Sequence, residues 1–253
     1  MSRPAAHALT VPCRFNYTGT GSGLFAELIV GGVLTVCTFG LYSPWFVCRL
    51  IEFVAKHTTL IDSERNSVRF HFNGTGADLF VQLVVGAVLT FCTFGIYAFW
   101  LSTNLTRFIL ENLRARDSFG EPVEIAFNGT GADLFGQCII DYVLTVITFG
   151  IYAPWMICNL HRFFYDNTRI YTSNSELRLS FHGTGGDLFG TFVVGYILTF
   201  CTLGLYSFWL QVQLIRFTTG NTIVTTPGGR RYAVRFTGTG WEYFLINVVG
   251  VIL

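Results

Sequence analysis

Apolar and polar positions fall into blocks along this chain, and the blocks recur. From Leu79 to Tyr97 the only strongly polar side chain is Gln82, which predicts an apolar helix, called helix A here. The segment from Phe99 to Leu113 is less apolar. Four residues beyond each tryptophan stand Arg49, Asn104, Asn159 or Gln213, and seven beyond stand Glu52, Arg107, Arg162 or Arg216. Residues three and four apart share a helical face, so this segment predicts a second helix, helix B, with a polar stripe. Apolar and polar residues then alternate from Thr58 to Ile61, break at the polar Asp62 to Asn66, and alternate again through Val68, Phe70 and Phe72. Alternation on both sides of a polar break predicts a β-hairpin linker.

Self-comparison turns these blocks into a tandem repeat. The motif FNYTGTGSGLF begins at Phe15 and returns as FHFNGTGADLF from Phe70, IAFNGTGADLF from Ile125, LSFHGTGGDLF from Leu179 and VRFTGTGWEYF from Val234, at spacings of 55, 55, 54 and 55. A second motif, TFCTFGIYAFW in one copy, ends at Trp45, Trp100, Trp155 and Trp209. The chain therefore divides into an N-terminal segment 1–14, repeats 15–69, 70–124, 125–178 and 179–233, and a partial fifth repeat 234–253. Asp78, Asp133, Asp187 or Glu242 near the start of helix A complements its dipole. Gly40, Gly95, Gly150 or Gly204 closes it, with Pro44 and Pro154 opening helix B in two copies.

Composition then suggests a solvent for these helices. Of the 253 residues 51% are hydrophobic and 12% charged, about half the charged share of an average soluble protein. The expected class is an α-helical multi-pass membrane protein, each repeat a helical hairpin joined to the next by a cytoplasmic β-hairpin. A helix A of roughly 17 residues reaches about 25 Å, enough to span if nearly upright. No Lys or Arg falls inside helix A or the turn after it, which puts the N-terminus and linkers on the cytoplasmic side and Trp45, Trp100, Trp155 and Trp209 at the opposite interface as anchors. A helix B lying in the interface is the rival topology. Met1 to Arg14 shows neither the apolar stretch nor the cleavage pattern of a signal peptide.

Net charge is +1 with Lys56 the only lysine, leaving no cationic stripe for nucleic acid. Cys37, Cys92 and Cys201 share one repeat position and read as small apolar residues rather than a disulfide framework. The GTG motif lacks the βαβ context of a dinucleotide loop. The NxT triplets at Asn16, Asn73 and Asn128 read as turn formers. His7, His57, His71, His161 and His182 show no paired metal-ligand spacing, and no GxSxG is present. No catalytic group, cofactor or metal is expected. Asp141 stands apart, because it occupies a helix position held by Gly31, Gly86, Gly195 and Gly250 in the other copies. A carboxylate there needs a partner or water; Arg107 and Arg162 are the candidates. The glycines read as sites of close helix contact, and Glu27 as structural.

The set FxFxGTGxDLF, an apolar helix, LTxxTFGIYxPW, and then an Arg-Phe pair with Asn-Thr (Arg162, Phe163, Asn167, Thr168; Arg216, Phe217, Asn221, Thr222) resembles the YjgN-like family of bacterial inner-membrane proteins. The resemblance runs from Phe15 to Leu253 and implies a multi-pass inner-membrane location without implying an activity. Gly23, Glu52 and Asp141 depart from the pattern of the other copies. Two roles fit. One is a scaffold that packs repeat against repeat and self-associates into a homo-oligomer in the bilayer, another chain completing the first strand, which lacks a hairpin partner, and the last helix, which lacks its helix B. The other is a channel or transporter for a small anionic solute, lined by Asp141, Arg49, Asn104, Arg107, Asn159, Arg162, Gln213 and Arg216.

Overall fold

The computed structural model describes residues 10–61, 67–172, 175–228, 231–234 and 240. The Asp62 to Asn66 turn and the helix expected around Glu242 and Gly250 lie outside them. In chain order the elements are β1 (Thr10–Tyr17), α1 (Gly21–Cys37), α2 (Ser43–His57), β2 (Thr58–Ile61), β3 (Ser67–Phe72), α3 (Gly76–Cys92), α4 (Ala98–Asn112), β4 (Leu113–Arg116) and β5 (Pro122–Phe127). There follow α5 (Gly131–Ile147), α6 (Ala153–Asp166), β6 (Thr168–Thr172), β7 (Ser175–Phe181), α7 (Gly185–Cys201), α8 (Ser207–Gly220), β8 (Thr222–Thr225) and β9 (Arg231–Val234).

The expected multi-pass helical class is not what the chain forms. None of the described helices is long and apolar enough to cross a membrane. Helix A closes at Cys92 rather than continuing to Tyr97, because Thr93 to Tyr97 form a turn. The linker strands are not isolated hairpins either. Two compact units are present, one of Cys13–Phe135 with Asn167–Arg178, the other of Gly136–Asp166 with the described residues from Leu179 onward. In the first unit β1 to β7 pair antiparallel in sequence order. Each helical hairpin there is an excursion between two adjacent strands: Tyr17 pairs with Thr58, and Phe72 with Leu113. In the second unit β8 pairs with β9.

The GTG motif is the device that starts helix A. Its threonine is the N-cap: the Thr75 hydroxyl accepts from the Asp78 N–H at 3.2 Å and donates to the Asp78 carboxylate at 2.6 Å. Thr130 with Asp133 and Thr184 with Asp187 repeat this exchange, and Thr20 caps α1 through the Gly23 N–H alone. Such a box satisfies backbone donors that a helix start leaves open. The second glycine of the motif serves packing. A Cβ on Gly76 would sit 2.7 Å from the Trp45 Cα, on Gly131 2.7 Å from that of Trp100, and on Gly185 2.7 Å from that of Trp155. Each helix B thus seats its backbone directly on the start of the next helix A. Around that contact lie Cys48, Ala55, Phe72, Leu79 and Phe108 in one unit, and Cys158, Phe181 and Leu188 in the other, all buried.

The turn between the two helices is built identically four times. Phe39, Phe94, Phe149 and Leu203 have φ of 51, 51, 50 and 51°, followed by Gly40, Gly95, Gly150 and Gly204 at 88, 93, 87 and 93°. Left-handed backbone costs a non-glycine residue about 1–2 kcal/mol. Hydrogen bonds hold it in place: Phe94 N–H donates to Phe91 O, Gly95 N–H to Thr90 O, Ile96 N–H to Thr93 O and Ala98 N–H to Gly95 O. The Thr93 hydroxyl donates to Leu89 O at 2.7 Å and accepts from the Tyr97 N–H at 2.9 Å. Thus Phe94 to Ala98 leave no backbone N–H unsatisfied.

Two glycines in α5 separate contact from propensity. Gly136 has nothing within 4 Å of an added Cβ, so Gly136→Ala should stabilise the chain by up to about 1 kcal/mol through helix propensity. Gly131→Ala should destabilise it by about 1–3 kcal/mol by driving a methyl into the Trp100 backbone. Thermal unfolding in detergent should show opposite signs.

Candidate functional site

The polar residues that the sequence singles out stand on the helical hairpins, and the third repeat shows several of them assembled around one carboxylate. Asp141 on α5 is 4% exposed. Its carboxylate accepts from the Asn159 amide at 3.0 and 3.1 Å and from the Tyr152 hydroxyl at 3.2 Å. Behind it, Arg162 Nη1 donates to Asn159 Oδ1 at 3.3 Å and Nη2 to Gly183 O at 3.2 Å. Gln137 Nε2 donates to Asn159 O at 3.1 Å. The carboxylate is therefore held by neutral donors, with Arg162 one residue removed, rather than by the direct ion pair the sequence suggests. Fully hydrogen-bonded, a buried charge is tolerable; stripped of its donors it costs several kcal/mol.

Tyr152 is the participant that sequence reasoning misses. The signal is its spacing: Tyr152 and Asn159 are two helical turns apart and so share a face. Burial and then the Asp141 charge raise the Tyr152 pKa, which keeps its hydroxyl a donor. Burial likewise pushes the Cys158 thiol up to about 11, Arg162 opposing and Asp187 reinforcing, in line with a cysteine used as a small apolar residue.

The other repeats carry variations. In the fourth, Gln213 Nε2 donates to the Tyr206 hydroxyl at 3.0 Å. In the second, Gln82, Tyr97, Asn104 and Arg107 line a cavity of ≈ 420 Å³ together with Gly86 and Leu101. Arg107 Nε donates to Phe127 O at 3.3 Å and Nη2 to Gly129 O at 2.9 Å. Arg107 and Arg162 thus both turn to carbonyls at the strand-to-helix junction that opens the next repeat. Arg49 on α2 and Arg216 on α8 are exposed. The residues that sequence grouping offered as one lining are distributed repeat by repeat.

Trp45, Trp100, Trp155 and Trp209 are half-buried. Each stacks on the tyrosine three residues before it, and Trp45, Trp100 and Trp155 contact Phe80, Phe135 and Phe189 of the next helix A, centroids 5.4, 6.0 and 5.5 Å apart. Among the described residues no three His, Cys, Asp or Glu side chains gather into a metal-binding group.

These features define a class of repeat protein: helical hairpins inserted between antiparallel strands, each opened by a threonine N-cap and seated on its neighbour through a Trp-Gly contact. Residues 122–175 and 176–227 each match the family described as bacterial protein of unknown function (DUF898). The chain is 35% identical over 81 residues, 32% of its length, to the inner membrane protein YjgN of Salmonella typhimurium strain LT2, covering 20% of that protein. It is 40% identical over 63 residues, 25% of its length, to the inner membrane protein YjgN of Escherichia coli strain K12, covering 15% of that protein. The chain thus spans a fifth or less of the curated relatives it matches. No solved structure matches it. In these stretches the chain is similar to that family and to the YjgN inner membrane proteins.

Removing the donors of Asp141 should expose the cost of its charge. Asn159→Ala should destabilise the chain by about 3 kcal/mol or more. Adding Asp141→Gly, which restores the residue the other copies use, should recover most of that loss. A double-mutant cycle by chemical unfolding in detergent measures the coupling; strictly additive effects would contradict it.

Proposed function

We propose that this chain is a non-enzymatic structural module of the bacterial inner membrane, whose helix A segments and inter-helix turns are immersed in the bilayer from one side without crossing it. The observation that carries this is the set of turn residues. Phe39, Phe94, Phe149 and Leu203 are 99, 99, 97 and 96% exposed while holding left-handed backbone that other residue types adopt at less cost. A large apolar side chain kept in a strained position with no protein contact needs another environment to favour it. Helix A supplies the same signal over more than one face: Val84, Val85, Val88 and Phe91 on α3, and Tyr142, Val143, Val146 and Ile147 on α5, are exposed. Apolar surface on this scale exceeds what isolated soluble chains present.

Backbone chemistry supports the same reading. A turn surrounded by lipid tails must satisfy its own polar groups, and each of the four turns does so through the same bonds, down to the threonine hydroxyl that bridges Leu34, Leu89, Leu144 or Leu198 to the tyrosine N–H. The name of the relatives, inner membrane protein, agrees with a membrane location.

Structural work is favoured over solute passage because Arg107 and Arg162 are spent on backbone carbonyls of the following repeat. Their role is to join repeats. Self-association into a scaffold extends this logic to other copies of the chain, and cross-linking in native membranes tests that extension separately.

Asp substitution at Phe39, Phe94, Phe149 and Leu203 together tests immersion without sacrificing the fold, since Asp tolerates the left-handed region better than Phe or Leu. Each change removes about 1.5–3 kcal/mol of apolar transfer energy. The expected outcome is a vesicle-bound fraction in flotation that falls at least about tenfold, with thermal stability in detergent preserved. An unchanged bound fraction would rule out immersion of the turns.

A further inference from the structure

The second and third repeats solve one packing problem in two ways, and the comparison identifies a binding site. Residues 55 apart correspond: Gln82 with Gln137, Gly86 with Asp141, Tyr97 with Tyr152, Leu101 with Met156, Asn104 with Asn159 and Arg107 with Arg162. Four of these six pairs are identical in residue type. In the third repeat the Asp141 carboxylate occupies the space among them and takes hydrogen bonds from Tyr152 and Asn159. In the second repeat a glycine stands there, and the same surroundings line a half-open cavity of ≈ 420 Å³.

The cavity has the chemistry of a site. Tyr97 and Asn104 bring to it the two donor types that hold a carboxylate one repeat later, and Arg107, fixed on the carbonyls of Phe127 and Gly129, places a positive charge beside it. Gln82 Oε1 is buried with no hydrogen-bond partner, an acceptor that calls for a donor. Glu111, exposed, also lines the cavity, so a second negative charge on the occupant is unfavourable and a donor group is favoured. Packing residues change in step. A Cβ on Gly86 would lie 2.3 Å from Leu101 Cδ1, whereas in the third repeat the equivalent of Leu101 is the flexible Met156, whose sulfur lies 3.7 Å from the Thr145 hydroxyl.

We propose that the hairpin of α3 and α4 binds a small monocarboxylate carrying a hydrogen-bond donor, of the α-hydroxy or α-amino acid type, whose carboxylate takes the place that Asp141 fills with its own side chain in the third repeat. Tyr97 and Asn104 donate to the carboxylate, Gln82 Oε1 accepts from the hydroxyl or ammonium group, and Arg107 supplies the field. The third repeat is the same site permanently occupied by a residue of the chain.

Isothermal titration of the full chain in detergent with lactate, alanine, acetate and inorganic phosphate tests this, and its outcome is independent of whether the turns enter lipid. Lactate or alanine should saturate one site per chain and bind more tightly than acetate or phosphate. In the double variant Gly86→Asp with Leu101→Met, which copies the third repeat, binding should weaken at least about tenfold while the melting temperature is retained. The reciprocal variant Asp141→Gly with Met156→Leu should raise the stoichiometry from one to two. Failure of both lactate and alanine to saturate, undiminished binding in the first variant, or a stoichiometry that stays at one in the second would each overturn the proposal.

Discussion

A backbone that satisfies its own hydrogen bonds is the constraint on which the rest of this structure depends. The side chains along helix A and its turn offer few polar partners beyond threonine hydroxyls, so other amide groups left open there would have none in apolar surroundings. The TFGIY-type turn answers this with one threonine hydroxyl that both donates and accepts, a glycine in the left-handed region, and a large apolar residue before it in the same region. The conformational cost is about 1–2 kcal/mol per copy. Four copies adopt it with φ values that agree within one degree at the apolar residue and within six degrees at the glycine, which marks a required conformation.

Given closed hairpins, the repeats are joined by a small number of contacts that use backbone directly. Tryptophan backbone lies against the second glycine of GTG, and Arg107 and Arg162 on helix B reach carbonyls of the next strand-to-helix junction. Both contacts run forward along the chain, from each repeat to its successor. This explains why glycine, threonine and tryptophan recur at fixed positions while the exposed surface of helix A drifts among Val, Ile, Leu and Phe. At the position of Asp141 a glycine of the other copies gives way to a carboxylate, and its neighbours Tyr152 and Asn159 are what make a charge there tolerable.

Much of this was legible in the sequence. The period, the helix starts at Asp78 and its equivalents, the glycine that closes helix A, and the alternating strands all correspond to local patterns, and local patterns are what a sequence displays. What could not be read depends on distant residues. The pairing of β3 with β4 across a whole helical hairpin joins positions some 40 residues apart, and no local signal marks it. The membrane-crossing expectation took a helix A of roughly 17 residues standing nearly upright as enough to span; α3 has that length, from Gly76 to Cys92, and none of the described helices is long and apolar enough to cross. Phe94 in left-handed backbone was hidden because phenylalanine is not a residue type that announces it. Asp141 was recognised as exceptional, yet its partners are the neutral Tyr152 and Asn159, since chemistry alone favoured an arginine.

The central claim, that lipid rather than water surrounds the turns, is tested most directly by a spin label at residue 94 in a chain reconstituted into bilayers on a cysteine-free background. Accessibility to dissolved oxygen should greatly exceed accessibility to a water-soluble nickel reagent at that site, and the ratio should reverse for a label at Arg114 on β4, whose side chain is about half exposed. A nickel accessibility at residue 94 equal to that at residue 114 would contradict the account.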